Sequence, residues 1–157
     1  GGTAGQVLAK ASNANYDTEW VDSTGTSNTV SSSEYSNQYL LTGTTTNASE
    51  TEIFIDGGSS RIIVPNDTTI HYTVDIVCRR TDTPGTHAAF YLKGVASNIS
   101  GTVTDVGSLY EVIVARTNSS IVVDARADNT NDSINIYVTG LSGNTISWKA
   151  VVTTLEV

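Results

Sequence analysis

The sequence predicts an all-β protein: an antiparallel β-sandwich or jelly-roll-like domain preceded by a short strand–turn–strand element. Three observations carry that expectation. Val and Ile together outnumber Leu by 29 to 7, and there are 24 Thr, a β-branched excess that suits pleated sheets better than helices. No window from Gln38 onward shows an apolar period of 3.6 residues. Apolar clusters instead recur at roughly 10–12-residue spacing, with Gly, Asn, Asp or Pro between them, the rhythm of a sandwich or jelly roll.

Residues 1–22 form the first element. Two short apolar-tipped pieces, 6–10 and 18–21, flank a turn filled by Ser12, Asn13, Asn15 and Asp17, residues that hydrogen-bond their own backbone in turns. Val7, Leu8, Tyr16, Trp20 and Val21 are too few to close a core within one chain, and they suffice if neighbouring chains supply the other walls. Residues 23–37 are a polar Ser/Thr/Asn-rich linker that cannot collapse alone.

The third region, 38–157, reads as ten strands: 38–44, 51–55, 61–64, 70–80, 86–96, 102–106, 110–116, 121–127, 133–139 and 145–156. Asp56-Gly57-Gly58-Ser59 makes a hairpin turn, because glycine reaches positive φ without steric cost. Pro84-Gly85 marks another turn. Tyr72, Val74, Ile76 and Cys78 alternate onto one face, as do Ile146, Trp148, Ala150 and Val152, so one face of each strand belongs to the core. Trp148 and Cys78 are therefore expected inside. Segments 112–114 and 121–123 are apolar on both faces, which places them centrally or buries them between subunits.

Composition excludes several classes of function. The net charge is −8 with only eight Lys and Arg, scattered except for Arg79-Arg80, so there is no cationic footprint for nucleic acid or an anionic membrane surface. No 18-residue apolar run marks a membrane span, and no basic-then-apolar leader precedes the first strand. The single Cys78 forms no intrachain disulfide and reads as a buried, inert thiol. His71 and His87 lie in different strands without HxH, HExxH or CxxC company, so neither catalysis nor a metal cofactor is expected. Acid pairs such as Asp105 with Glu111 or Asp75 with Asp124 are the arithmetic of 16 acids in a β-protein, and cleaving a glycan requires two carboxylates held across a cleft. Asp128-Asn129-Thr130-Asn131-Asp132 lacks the Gly and Glu of a calcium loop and reads as an Asx-rich turn.

The run Gly5-Gln6-Val7-Leu8, then Tyr16-Asp17-Thr18 and Trp20, closely resembles an element found along bacteriophage tail-fibre proteins. The glycine-led start reads as a piece of a longer fibre. The step Ile63-Val64-Pro65-Asn66, the run from Val77 to Asp82, and Val138-Thr139-Gly140 with Trp148-Lys149-Ala150 are more diffusely similar to the domains that end such fibres. The resemblance implies a homotrimer with a shaft and trimerisation element at 1–22 and a receptor-binding tip at 38–157. It further implies a virion component that acts outside the cell on a host-surface receptor. A capping module that trimerises without binding receptor is the alternative, and a small polysaccharide-cleaving or self-processing domain is the third.

If the strands alternate strictly up and down, five loops share the end away from the shaft, and each carries an asparagine: Asn47, Asn66, Asn98, Asn118 and Asn144. Amides both donate and accept, which suits sugar hydroxyls. Tyr91 and Tyr110 offer rings on which a sugar stacks. These seven residues are the expected glycan-binding set, and the acidic charge favours a neutral or amine-bearing glycan.

Overall fold

The computed structural model describes residues 6–10, 18–22, 29–33 and 36–157, the first three segments by their backbone. The described residues are all-β, without a helix: one antiparallel sheet curls into a half-barrel, and β1 (Gln6–Lys10) pairs separately with β2 (Thr18–Asp22). The β1–β2 register sets Leu8 opposite Trp20 and Val7 opposite Val21. The expectation that these side chains need neighbouring chains lies outside the described residues.

The curled sheet contains β3 (Thr29–Ser33), β4 (Ser36–Thr45), β5 (Glu50–Ile55), β6 (Ile62–Ile63), β7 (Thr68–Arg80), β8 (His87–Ile99), β9 (Thr102–Asp105), β10 (Tyr110–Arg116), β11 (Val122–Asp128), β12 (Ser133–Thr139) and β13 (Ile146–Glu156). Its main path is β10-β8-β7-β13-β4-β5-β12-β11. All ten strands read from residue 38 onward are present. β3 falls inside the stretch read as a linker and pairs with β4, a pairing that its Thr/Ser composition does not announce because it needs no apolar face.

β13 is the centre of the sheet. It pairs with β4 from Ile146↔Thr45 to Leu155↔Ser36, and with β7 from Ile146↔Arg80 to Glu156↔Ile70. Trp148 lies directly across from Cys78 on a neighbouring strand, and both are buried as the alternation requires. The Trp148 indole N–H donates to Thr45 Oγ1 at 3.0 Å, which satisfies the one polar atom this large ring takes into the core.

β5 carries the sheet around its corner. Its last residues pair with β4 through Leu41↔Ile55 and Thr42↔Phe54, and its first residues pair with β12 from Ile136↔Ile53 to Thr139↔Glu50. Gly43 stands at that corner, where a Cβ would overlap the Ile53 side chain. A glycine is what lets the two arms close. The core then fills between them with Phe90, Leu92, Val74 and Ile76 from one arm and Ile134, Ile136, Val138 and Val123 from the other.

The outermost strands, β10 and β11, are consecutive in the chain. Segments 112–114 and 121–123 therefore do not lie at the sheet centre. Val112, Ile113 and Val114 are all exposed on edge strand β10, whereas Ile121 and Val123 are buried and Val122 is exposed. Arg116 Nη1 donates to Ile121 O at 3.2 Å across the seam. β9 covers its other end, with Val103 N donating to Asn129 Oδ1 at 2.7 Å and Ala127 N donating to both Asp105 oxygens at 3.0 Å.

Candidate functional site

Strict alternation fails at two places, and the expected asparagine cluster divides as a result. β5 and β6 both run antiparallel to β12, and β9 and β10 both run antiparallel to β8. Each succession reverses the parity of the loops that follow. Asn47, Asn118 and Asn144 lie at the end where β4 finishes, while Asn66 and Asn98 lie at the opposite end, where β4 begins.

The amides are also largely committed. Asn98 is buried, and its Nδ2 donates to Val64 O at 2.8 Å, bracing the start of β7 rather than meeting solvent. Asn47 Oδ1 accepts from Ser49 N and Asn118 Oδ1 accepts from Ser120 N, each at 2.9 Å, the two-residue reach of an Asx turn. Asn66 bridges two loops, accepting from Gly101 N at 2.7 Å and donating to Asp67 at 3.0 Å. Asn144 is half-buried in a tight turn closed by its own backbone N–H onto Leu141 O. Tyr91 and Tyr110 sit elsewhere, on the outer face of the sheet: Tyr91 is opposite Asp75 and Val112, and Tyr110 is opposite Lys93.

The Asp128 loop is closed on itself. Asp128 Oδ1 accepts from Thr130 N at 2.8 Å, while Oδ2 accepts from Asn131 Nδ2 at 2.6 Å and Asn135 Nδ2 at 2.9 Å. These bonds, Asn131 first, lower the Asp128 pKa. Among the described residues no three His, Cys, Asp or Glu side chains converge, and no helix is long and apolar enough to cross a membrane.

A different constellation lies in the seam between β8, β9 and β11. Tyr72, Gly94, Asp105, Ser108, Leu109 and Asp124 line a cavity of about 190 Å³, with Arg126 on its rim. Tyr72 is 1% exposed, yet its hydroxyl has no hydrogen-bond partner among the described residues. The register sets Tyr72 opposite Gly94, and the hydroxyl end of the ring occupies the space where a Gly94 Cβ would stand. A larger residue at position 94 would displace that end of the ring. Burial, then the Asp105 and Asp124 carboxylates, hold the phenol well above its ordinary range, so it stays neutral.

Arg126 stands beside Asp124, Nε to Oδ2 at 3.2 Å, stacks on Tyr137 with its guanidinium 4.2 Å from the ring centroid, and pairs with Glu50. Sequence reasoning missed this grouping. It paired Asp105 with Glu111 and Asp124 with Asp75, whereas Glu111 is on β10 and Asp75 is on the outer face of β7. The signal lay in Tyr72 and Gly94, but only strand register reveals that they are opposite each other.

The outer face of the large sheet is mixed, with two apolar grooves set among polar side chains such as Thr73, Lys93 and Thr153. Leu40, Val77, Ala89, Val114 and Val151 surround a shallow groove of about 460 Å³, with Asp75 and Lys149 on its margin. Nearer the end where β4 begins, Val95, Leu155 and Val157 line a second groove of about 660 Å³ with His71, whose Nε2 is buried without a hydrogen-bond partner among the described residues. Val77, Val114 and Leu155 are each more than half exposed.

A scan of protein-family models and a search of curated proteins find no match to this chain.

Proposed function

We propose that this chain is the receptor-facing end of a bacteriophage tail fibre, a homotrimer on the virion surface that attaches the particle to a host-surface glycan. On this reading residues 38–157 form a jelly-roll-like tip, and 1–22 belong to the shaft. The observation that carries it is the apolar patch of Leu40, Val77, Val114 and Val151 on the outer face of the sheet. An exposed apolar patch rimmed by polar residues is the kind of surface that folded proteins use for association. Asp75 and Lys149 at its margin supply opposite charges that a second copy can meet in a closed ring. The tail-fibre resemblance of residues 5–20 supports the same assembly. The reading involves no catalytic step and no cofactor.

Light scattering on the size-excluded chain should return about three times 16.5 kDa. The purified chain should also bind intact host cells, and a trimer that fails to bind any cell in a broad bacterial panel would leave only the capping role. A monomer at micromolar concentration would overturn the assembly.

A further inference from the structure

We infer that the seam cavity bounded by Tyr72, Gly94, Asp105, Ser108, Leu109 and Asp124 binds a single sugar ring rich in hydrogen-bond donors, preferentially an amine-bearing one. The inference rests on the attachment reading above and moves the contact from the loop asparagines into the seam. Size is the first argument. A cavity of about 190 Å³ is comparable with the roughly 150 Å³ that takes up benzene, so a six-membered ring fits, and the open side of the seam leaves room for its substituents.

Chemistry is the second argument. The Tyr72 ring is almost wholly buried, but its hydroxyl bonds no described residue and is not sealed from solvent, so it opens into the cavity, where a ligand hydroxyl can take the place of water. Asp105 and Asp124 each accept one backbone N–H, from Ala127 and Ala125. An ionised carboxylate has about four lone-pair sites, so acceptor capacity is left over. Gly94, Val106 and Leu109 give the wall an apolar part against which the C–H face of a sugar can lie.

Charge is the third argument. The cavity wall holds two carboxylates and one guanidinium, which pairs with Glu50 and Asp124 and stacks on Tyr137 while its Nε makes no hydrogen bond among the described residues. The remaining field is negative, which draws an ammonium group and repels a sugar acid.

The test is an amide NMR titration of the intact chain with D-glucosamine, D-glucose, D-glucuronate and, separately, calcium chloride. Glucosamine should shift the Gly94 and Gly107 amides at millimolar concentration, glucose should do so more weakly, and glucuronate should not. Tyr72→Phe removes only an unpartnered hydroxyl and should melt at or above the parent temperature while binding glucosamine roughly tenfold more weakly. Asp105→Asn keeps an acceptor for Ala127 and should also weaken binding. No shift at Gly94 and Gly107 with any sugar, or undiminished binding by both variants, would overturn the inference. Shifts at those amides with calcium alone would overturn it in favour of a cation site. Attachment of the same proteins to cells separates the two levels. If both variants attach as well as the parent, the attachment reading stands and the seam is not the receptor site. If the parent itself attaches to nothing, the attachment reading fails whatever the sugar titration shows.

Discussion

Trp148 is the residue on which most of the core converges. It is fully buried, opposite Cys78 and Gly43, and hydrogen-bonded to Thr45. Trp148→Ala should cost about 3–5 kcal/mol, read as a lower denaturant midpoint. Trp148→Phe should cost less but leave Thr45 Oγ1 without its donor. Burial pushes the Cys78 thiol up to about 11, so at neutral pH it is both inaccessible and protonated. A thiol reagent should react with it only after denaturant is added, and rapid labelling of the native protein would contradict the packing. Asp82 carries an acid-side prediction. Hydrogen bonds from Arg80 hold its carboxyl well below the usual range, and Asp128 is lowered in the same sense. A carboxyl depressed in the folded state contributes stability above its unfolded value, about 3.9, and loses it as pH falls toward the folded value. The melting temperature should therefore decline below about pH 4, and Asp82→Asn should flatten that limb. The faces of Trp148 and Cys78 were legible in the sequence, because a two-residue period reports which side of a strand is buried. The role of Asn98 was not, because nothing local distinguishes an asparagine that braces Val64 O from one that faces water.

At the scale of the elements, the strands were legible and their partners were not. Period and turn residues mark where β4 to β13 begin and end, but carry no information about which strand lies beside which. β6 is two residues long, and by pairing with β12 in the same direction as β5 it moves Asn66 and Asn98 to the other end. The order of the sheet also grades how much each strand tolerates. β13 has a partner on both sides along nearly its whole length, and proline removes a ladder donor. Val151→Pro should abolish cooperative unfolding. Val114 sits at the irregularity between Ile113 and Ala115 on edge strand β10, where a missing N–H is easily tolerated, so Val114→Pro should retain a melting transition. Equal damage from the two substitutions would mean that β10 is covered by something else.

For the whole molecule, the two faces of the large sheet have different tasks. Its inner face meets the β5-β12-β11 arm, and its outer face keeps Val77, Val114 and Leu155 in contact with water. The double substitution Val77→Lys with Val114→Lys should leave the fold intact, because both side chains point away from the core. It should reduce the scattering mass to about 16.5 kDa if that face is the subunit contact. A mass unchanged by these charges would place the contact on another surface.

The central position of β13 also governs time. Its partner β4 is more than a hundred residues earlier in the chain, and the Trp148–Thr45 bond spans 103 positions. β4 and β7 are joined in the sheet only through β13, so neither arm can complete its hydrogen bonding until a late segment arrives. Closing such long loops before any contact repays them makes folding slow, on the order of milliseconds to seconds for topologies of this kind. A ribosome-bound chain that stops short of Ile146 would hold β4 and β7 as bare edges, open to mispairing with other nascent copies. A stopped-flow refolding trace should show this as a single slow phase. Adding the separate peptide 146–157 to a chain ending at 145 should restore the native signal at a rate that rises with peptide concentration.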